Sequence, residues 1–390
     1  MVKIAGIICE YNPLHLGHMR QFALLRKLLG ADAAIVCVMS GNYVQRGEPA
    51  VFDKFTRSRA AVACGADLVL ELPLTKAVSS AEAFCRGGVE VLNRLGCVEY
   101  LCFGSETGTL DPILKTAELL CSESLDDAIQ QQLKTGLSYP AARQRALERL
   151  GGDGALLQHP NDILAVEYCK ALIRTHSSLI ALAVKREGDY HAAQLQGTYP
   201  SATAVRAQMA AGGNWLELTP EPARGIFASA VQYRYEAGER AMLARLRGLS
   251  DEEFACLPYG AEGLWSKVKT ACRTQSSVEA VLQAAKSKRY TYSRLKRMLL
   301  CGYLGVFQEQ LDWVIPYVRI LAFSKAGQAV IRACRQVGEL ELVNAGSPCP
   351  DPAYWALERR AADLYSLFAV DDAATTCGME QAGRVYCQEK

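Results

Sequence analysis

The chain has 390 residues, half of them hydrophobic and 22% charged, with 43 Lys and Arg against 41 Asp and Glu. That profile points to a soluble protein of two domains, and excludes a disordered chain, a membrane-spanning protein and a domain that grips nucleic acid through bulk charge. A strand pattern begins at Lys3, leaving no room for a signal peptide, so a cytoplasmic location is expected.

The residues from Lys3 to Cys9 form a short apolar run rich in β-branched side chains, and Asn12-Pro13 breaks it. A helical pattern follows from His18 to Leu29, with apolar residues at steps of three and four, and Gly30 closes it. Ala33 to Met39 reads as a second buried strand, and the polar, glycine-bearing loop Ser40 to Pro49 leaves its carboxyl end. Asp53 can cap a helix running to Ala63, and Asp67 to Pro73 is a third strand. A helix covers Ser79 to Leu95, and Tyr100 to Ser105 is a fourth strand. The stretch from Leu110 to Leu150 is helical, with turns at Gly136 and Pro140. His159-Pro160-Asn161-Asp162 opens another helix, Ser178 to Val184 is a fifth strand, and Ser201 opens one more short helix.

Strands alternating with helices predict an α/β fold, a Rossmann-like doubly wound parallel sheet over residues 1–212. Gly212-Gly213 and Pro220-Glu-Pro222 mark the expected boundary, and a mainly α-helical domain is expected over 213–390. Helices are predicted over 225–249, 277–286, 292–304, 325–337 and 355–368, and the last dozen residues read as loosely ordered. Fifteen cysteines show no Cys-x-x-Cys spacing and mostly lie in apolar runs, which reads as buried thiols.

Chemistry concentrates at the first turn. His15 and His18, two of only five histidines, stand with Gly17 between them at the mouth of a helix. A helix N-terminus offers unpaired N–H groups and a positive dipole end to a phosphate, and Gly17 lets a nucleotide approach the backbone. Lys185 and Arg186 end the fifth strand, where cations would face a triphosphate. Ser201 and Thr203, followed by Arg206, supply hydroxyls and N–H groups at a helix start. His159 and His191 lack carboxylates or cysteines at ligand spacing and read as solvated loop residues, and His176 as a helix-end residue. In the second half Lys286, Lys288, Arg289, Arg294, Lys296 and Arg297 are interleaved with Tyr290 and Tyr292 and with no acid. Cations for phosphates and rings for unpaired bases make this a predicted RNA-contacting patch.

His-Leu-Gly-His resembles the His-x-Gly-His signature of the nucleotidyltransferase superfamily. A wider set of segments narrows the resemblance. They are Glu10-Tyr-Asn-Pro-Leu-His-Leu-Gly-His18, Met39-Ser-Gly-Asn-Tyr-Val-Gln-Arg-Gly-Glu-Pro-Ala50, Glu71-Leu-Pro73, Phe103-Gly-Ser-Glu106, Pro160-Asn-Asp-Ile-Leu164, Lys185-Arg186, Tyr190-His191, Ser201-Ala-Thr203 and Lys288-Arg-Tyr-Thr291. Together they resemble the bacterial tRNA(Met) cytidine acetate ligase family across nearly the whole chain, thinning after Asp363.

The resemblance implies that ATP and acetate give acetyl-adenylate, which acetylates the wobble cytidine of elongator tRNA(Met). The products are N4-acetylcytidine, AMP and pyrophosphate. It implies magnesium with the triphosphate, no structural metal, no membrane partner, and catalytic roles for His15 and His18. The implied ATP site comprises Ile8, Cys9, Glu10, Tyr11, Asn12, Pro13, Leu14, His15, Leu16, Gly17, His18, Met19, Arg20, Gln21, Gly104, Asn161 and Arg186. Superfamily analogy adds Lys185, Ser201 and Thr203. Asp162 departs from the family's expected Asn. Two alternatives stand beside this reading: an adenylyltransferase making a small nucleotide cofactor, and an RNA-binding protein that has lost catalysis.

Overall fold

The computed structural model describes residues 2–136, 139–186, 200–287 and 289–388. Its strands are β1 (Ile4–Cys9), β2 (Ala34–Ser40), β3 (Tyr43–Val44), β4 (Glu48–Pro49), β5 (Leu68–Leu72), β6 (Tyr100–Ser105), β7 (Ile180–Lys185), β8 (Tyr317–Phe323), β9 (Glu341–Asn344) and β10 (Tyr386–Cys387). The main sheet runs β10-β8-β5-β2-β1-β6-β7, with β9 also paired to β8, while β3 and β4 form a separate hairpin. The five strands β5-β2-β1-β6-β7 are all mutually parallel. Successive connections leave β1 in one direction through β2 and β5, and in the other through β6 and β7. Strand order therefore reverses between β1 and β6, which opens a crevice at their carboxyl ends.

Seven helices position the site: α1 (Leu16–Leu29), α2 (Lys54–Ala63), α3 (Ala81–Arg94), α4 (Pro160–Arg174), α5 (Ala202–Ala210), α6 (Tyr292–Leu304) and α7 (Lys325–Val337). Side chains of a strand alternate between faces, and β1 divides accordingly. Ile4 and Ile8 join Val89 and Leu92 of α3, Ala165 and Val166 of α4 and Ile331 of α7 in one core. Ala5 and Ile7 join Phe22 and Leu25 of α1, Ala60 and Ala61 of α2 and Val205 of α5 in the other. A third core lies among the helices of the second half, around Leu246, Val268, Leu295 and Leu299, and Tyr43 of the β3–β4 hairpin reaches into it. Among the described residues no helix is long and apolar enough to cross a membrane.

The second half is less uniformly helical than its periodicity suggests. β8, β9 and β10 come from it, and β8 pairs antiparallel with β5 on the edge of the parallel sheet. A strand with Arg319 at its centre reads poorly as a buried strand, yet Arg319 is 1% exposed. Its Nε lies 2.9 Å from Glu380 and its Nη2 3.3 Å from Glu358, while Lys54 meets Glu71 and Glu380 at 2.6 Å each. Paired charges are tolerated where lone ones are not.

The tail is likewise built in rather than loosely ordered. Glu380 is fully buried, and Tyr386 and Cys387 pair with β8. The helix expected over 225–249 is two helices, Glu221–Ala228 and Glu239–Arg247. Between them Tyr233 bridges Ala369 and donates its N–H to Val51, so tertiary pairing overrides helical propensity there.

Candidate active site

The crevice at the strand reversal holds a cavity of about 410 Å³. Its floor is the β1–α1 turn. His15 is the N-cap of α1, and its Nδ1 accepts the Gly17 N–H at 3.1 Å. The His18 Nδ1 in turn accepts the His15 N–H at 3.2 Å, completing a capping box made of two imidazoles. Because each Nδ1 is an acceptor, the ring proton of each neutral histidine sits on Nε2, the atom not spent on the cap. The two ring centroids are 3.8 Å apart, and the Tyr11 ring meets His18 edge-on at 4.8 Å. Burial pushes His15 down to about 3, helped by the nearby Arg186 and Arg206 guanidinium groups. Burial also holds His18 well below the usual imidazole range, followed by His15 and Arg186. The pair is therefore a neutral double hydrogen-bond donor beside the positive end of a helix.

Cations approach from two sides. Gly104 at the end of β6 lies under Arg186, and a Cβ there would come within 3.0 Å of the Arg186 Cδ. The Arg186 Nη1 donates to Asn161 Oδ1 at 3.2 Å, and Asn161 Nδ2 donates to Glu106 at 2.6 Å. Asp162 does structural work. Fully buried, it accepts from the Ser105 hydroxyl at 2.5 Å and the Glu106 N–H at 3.0 Å, pinning the β6 exit to α4.

On the other side Arg206 of α5 donates to the Asn12 carbonyl at 2.7 Å and to Thr203 Oγ1 at 3.3 Å. Arg57, wholly buried, donates to the Glu10 and Ser40 carbonyls at 2.5 and 3.1 Å and so ties the carboxyl ends of β1 and β2 together. Glu10 lines the cavity, accepts the Gln45 N–H at 2.6 Å, and is raised chiefly by burial.

Of the residues expected around ATP, Ile8, Cys9, Glu10, Tyr11, Asn12, His15, His18, Gln21, Gly104, Asn161, Arg186 and Thr203 line this cavity. Pro13, Leu14, Leu16, Gly17, Met19 and Arg20 belong to the same turn and helix but do not line it; Leu14 is core. Ser201 sits at the N-cap of α5, its hydroxyl accepting the Ala204 N–H at 3.1 Å. Lys185 is exposed and packs beside Gly108, away from the cavity wall, because neighbours on a strand point to opposite faces. Tyr190 and His191 lie outside the described residues. Gln45, Glu48, Arg206, Ser293 and Arg297 also line the cavity without having been singled out for it. Gln45 and Glu48 lie in the polar loop at the end of β2, within the Met39–Ala50 segment that carries the family resemblance.

The predicted RNA-contacting patch is less uniform in space than in sequence. Arg297 is only 9% exposed, lies 5.0 Å from the Tyr259 ring and lines the cavity. Lys296 pairs with Glu48 and Arg289 with Glu262, acids distant in the chain. Arg294 donates to the Tyr259 carbonyl at 3.0 Å and lies 5.0 Å from the Tyr290 ring. Lys286 is exposed and sits 4.3 Å from the Tyr292 ring. Lys288 lies outside the described residues.

Residues 2–379 match the family described as HIGH Nucleotidyl Transferase. A tRNA(Met) cytidine acetate ligase of Acetivibrio thermocellus is 34% identical over 97% of this chain and 98% of its own length. One of Clostridium perfringens is 33% identical over 94% of this chain and 95% of its own. The crystal structure of Thermotoga maritima TmcAL bound with alpha-thio ATP superposes with a TM-score of 0.87 at 28% identity, over 99% of this chain and all of that one. The apo form of that protein gives 0.89 over the same coverage.

Proposed function

The chain belongs to the HIGH nucleotidyl transferases and, within them, to the tRNA(Met) cytidine acetate ligase family, and on that premise we propose how its residues carry the reaction. The protein is a ligase that consumes ATP and acetate and acetylates the wobble cytidine of elongator tRNA(Met) to N4-acetylcytidine. Acetate is already an anion, so the first step needs no general base. An acetate oxygen attacks the α-phosphorus, the bond to the β-phosphate oxygen breaks, and pyrophosphate leaves with the electron pair.

What this step demands is placement and stabilisation of charge on the α-phosphate. The observation that carries the reading is the neutral imidazole pair with both Nδ1 atoms tied to the α1 cap, which commits two Nε2–H donors to the crevice. Arg186 and Arg206 flank them and balance the triphosphate. Magnesium enters as the companion of ATP. Among the described residues no group of three or more His, Cys, Asp or Glu could hold a metal ion.

The second step joins the exocyclic amine of cytidine to the acetyl carbon and releases AMP. We assign the tRNA to the helical second half, residues 213–390, with Lys286, Arg289, Tyr290, Tyr292 and Arg294 at its contact face. A cytoplasmic location follows from that substrate. The test is pyrophosphate release from ATP, which should depend on acetate and precede any need for tRNA. Release with a phosphorylated small molecule and none with acetate would transfer the site to cofactor synthesis. Propionate should be a weaker substrate by a factor of about 10–200, the range a single methylene allows in an apolar pocket.

A further inference from the structure

A second cavity of about 360 Å³ lies next to the first, and Glu48 and Arg206 belong to the walls of both. Its size falls in the range of about 300–1,000 Å³ typical of small-ligand sites. The loop between the helices Glu221–Ala228 and Glu239–Arg247 supplies Gln232, Tyr233 and Tyr235, and α6 supplies Lys296. The Tyr235 hydroxyl is buried and has no hydrogen-bond partner among the described residues. Glu48 is held between the cavities by its ion pair with Lys296, whose Nζ also lies 5.7 Å from the Tyr235 ring. Tyr292, at the start of α6, is four residues from Lys296, or about 6 Å along the helix axis. The tyrosine-bearing cationic face is thus one turn from this opening.

We propose that the second cavity receives the target cytosine, everted from its RNA loop, and that Glu48 accepts the proton its amine loses on acetylation. The proposal rests on the ligase reading and names the acceptor side of the same site. Unpaired bases are held by aromatic faces and by hydrogen bonds to their exposed edges. Tyr235 offers such a face. Cytosine presents acceptors at O2 and N3, which Gln232 and Lys296 can meet as donors, and a donor amine at N4, which a glutamate accepts.

Of the acids lining the second cavity, Glu239 already accepts the Val278 N–H at 2.7 Å, and Glu48 alone is shared with the nucleotide cavity. In the step itself the N4 lone pair forms a bond to the acetyl carbonyl carbon. The bond from that carbon to the phosphate oxygen breaks, AMP departs with its electrons, and the N4 proton passes to the Glu48 carboxylate. Arg206, in contact with both spaces, faces the phosphate that gains charge as AMP leaves.

The test uses preformed acetyl-adenylate and full-length elongator tRNA(Met) in single turnover. Glu48→Ala should slow acetyl transfer at least 100-fold, as loss of a general base does, and added formate should restore much of the rate by replacing the missing carboxylate. Glu48→Gln should show the same loss without being open to formate rescue. Independently, wild-type protein irradiated with the anticodon stem-loop carrying 4-thiouridine at the wobble position should crosslink within residues 232–236 or at Lys296. Transfer by Glu48→Gln at the wild-type rate, or a crosslink confined to other segments, overturns the proposal and leaves the ligase reading intact. If wild-type protein transfers no acetyl group from acetyl-adenylate to tRNA, both fail together.

Discussion

Gly47 and Arg297, 250 positions apart in the chain, are in backbone contact: a Cβ on Gly47 would stand 2.5 Å from the Arg297 nitrogen. Gly47 also adopts φ +82°, a conformation that other residues enter only at a cost. This one contact presses the β3–β4 hairpin onto α6. Gln45 is thereby set against Glu10, and Glu48 against Lys296. Gly47→Ala should lower stability by at least about 1–2 kcal/mol from the backbone conformation alone, with more from the clash. Thermal unfolding should register the loss, and acetate-dependent pyrophosphate release and tRNA acetylation should fall together.

The imidazole pair makes a statement about pH. Both histidines are held below their ordinary pKa, so both stay neutral through the neutral range. Pyrophosphate release should therefore show no inflection near about 6.5, where a free imidazole titrates. His18→Ala removes one donor to the α-phosphate and should cost about 10²–10³ in the rate of that step. A wild-type profile that breaks near 6.5 would contradict this assignment of protonation state.

The same shifts link the site to stability. A depressed histidine pKa means the unfolded chain binds a proton that the native state refuses. Stability is then complete above about 6.5 and falls as pH drops toward the His15 value of about 3. The slope is up to about 1.4 kcal/mol per pH unit for one such group. Urea midpoints at pH 7.5 and 5.5 should differ more for wild type than for His15→Gln.

Gly104→Ala places a methyl group against Arg186, whose Cγ and Cδ would lie 3.1 and 3.0 Å away. The side chain must move, and its hydrogen bond to Asn161 goes with it. The KM for ATP should rise about tenfold, the worth of one lost hydrogen bond to a charged group. The melting temperature should change little, since the displaced guanidinium remains at the edge of the cavity.

Lys54 joins Glu71 and Glu380 in a cluster closed to solvent. Lys54→Met leaves two buried carboxylates short of a cation and should cost about 3–5 kcal/mol. The urea midpoint should fall, and protease should gain access to the C-terminal segment that carries Glu380.

The parallel sheet and the β1–α1 turn were legible in the sequence because they rest on local rules. Buried parallel strands read as continuous apolar runs, helices repeat at 3.6 residues, and His15, Gly17 and His18 form their cap within four positions. The strand β8 was not legible. Its central Arg319 looks wrong for a buried strand until Glu358 and Glu380, 39 and 61 residues later, arrive to balance it. The basic patch was legible only as composition: Lys296 and Arg289 found acids from distant segments, and Arg297 turned inward.

By itself, then, the sequence determined the strand, turn and helix start that carry His15, Gly17 and His18, because these elements are contiguous and their chemistry is set by neighbours. Only the tertiary structure decided which acid stands between the two cavities. Glu48 reaches that position through a contact between a hairpin and a helix some 250 residues apart, and pairing at such a distance depends on packing that no local pattern records.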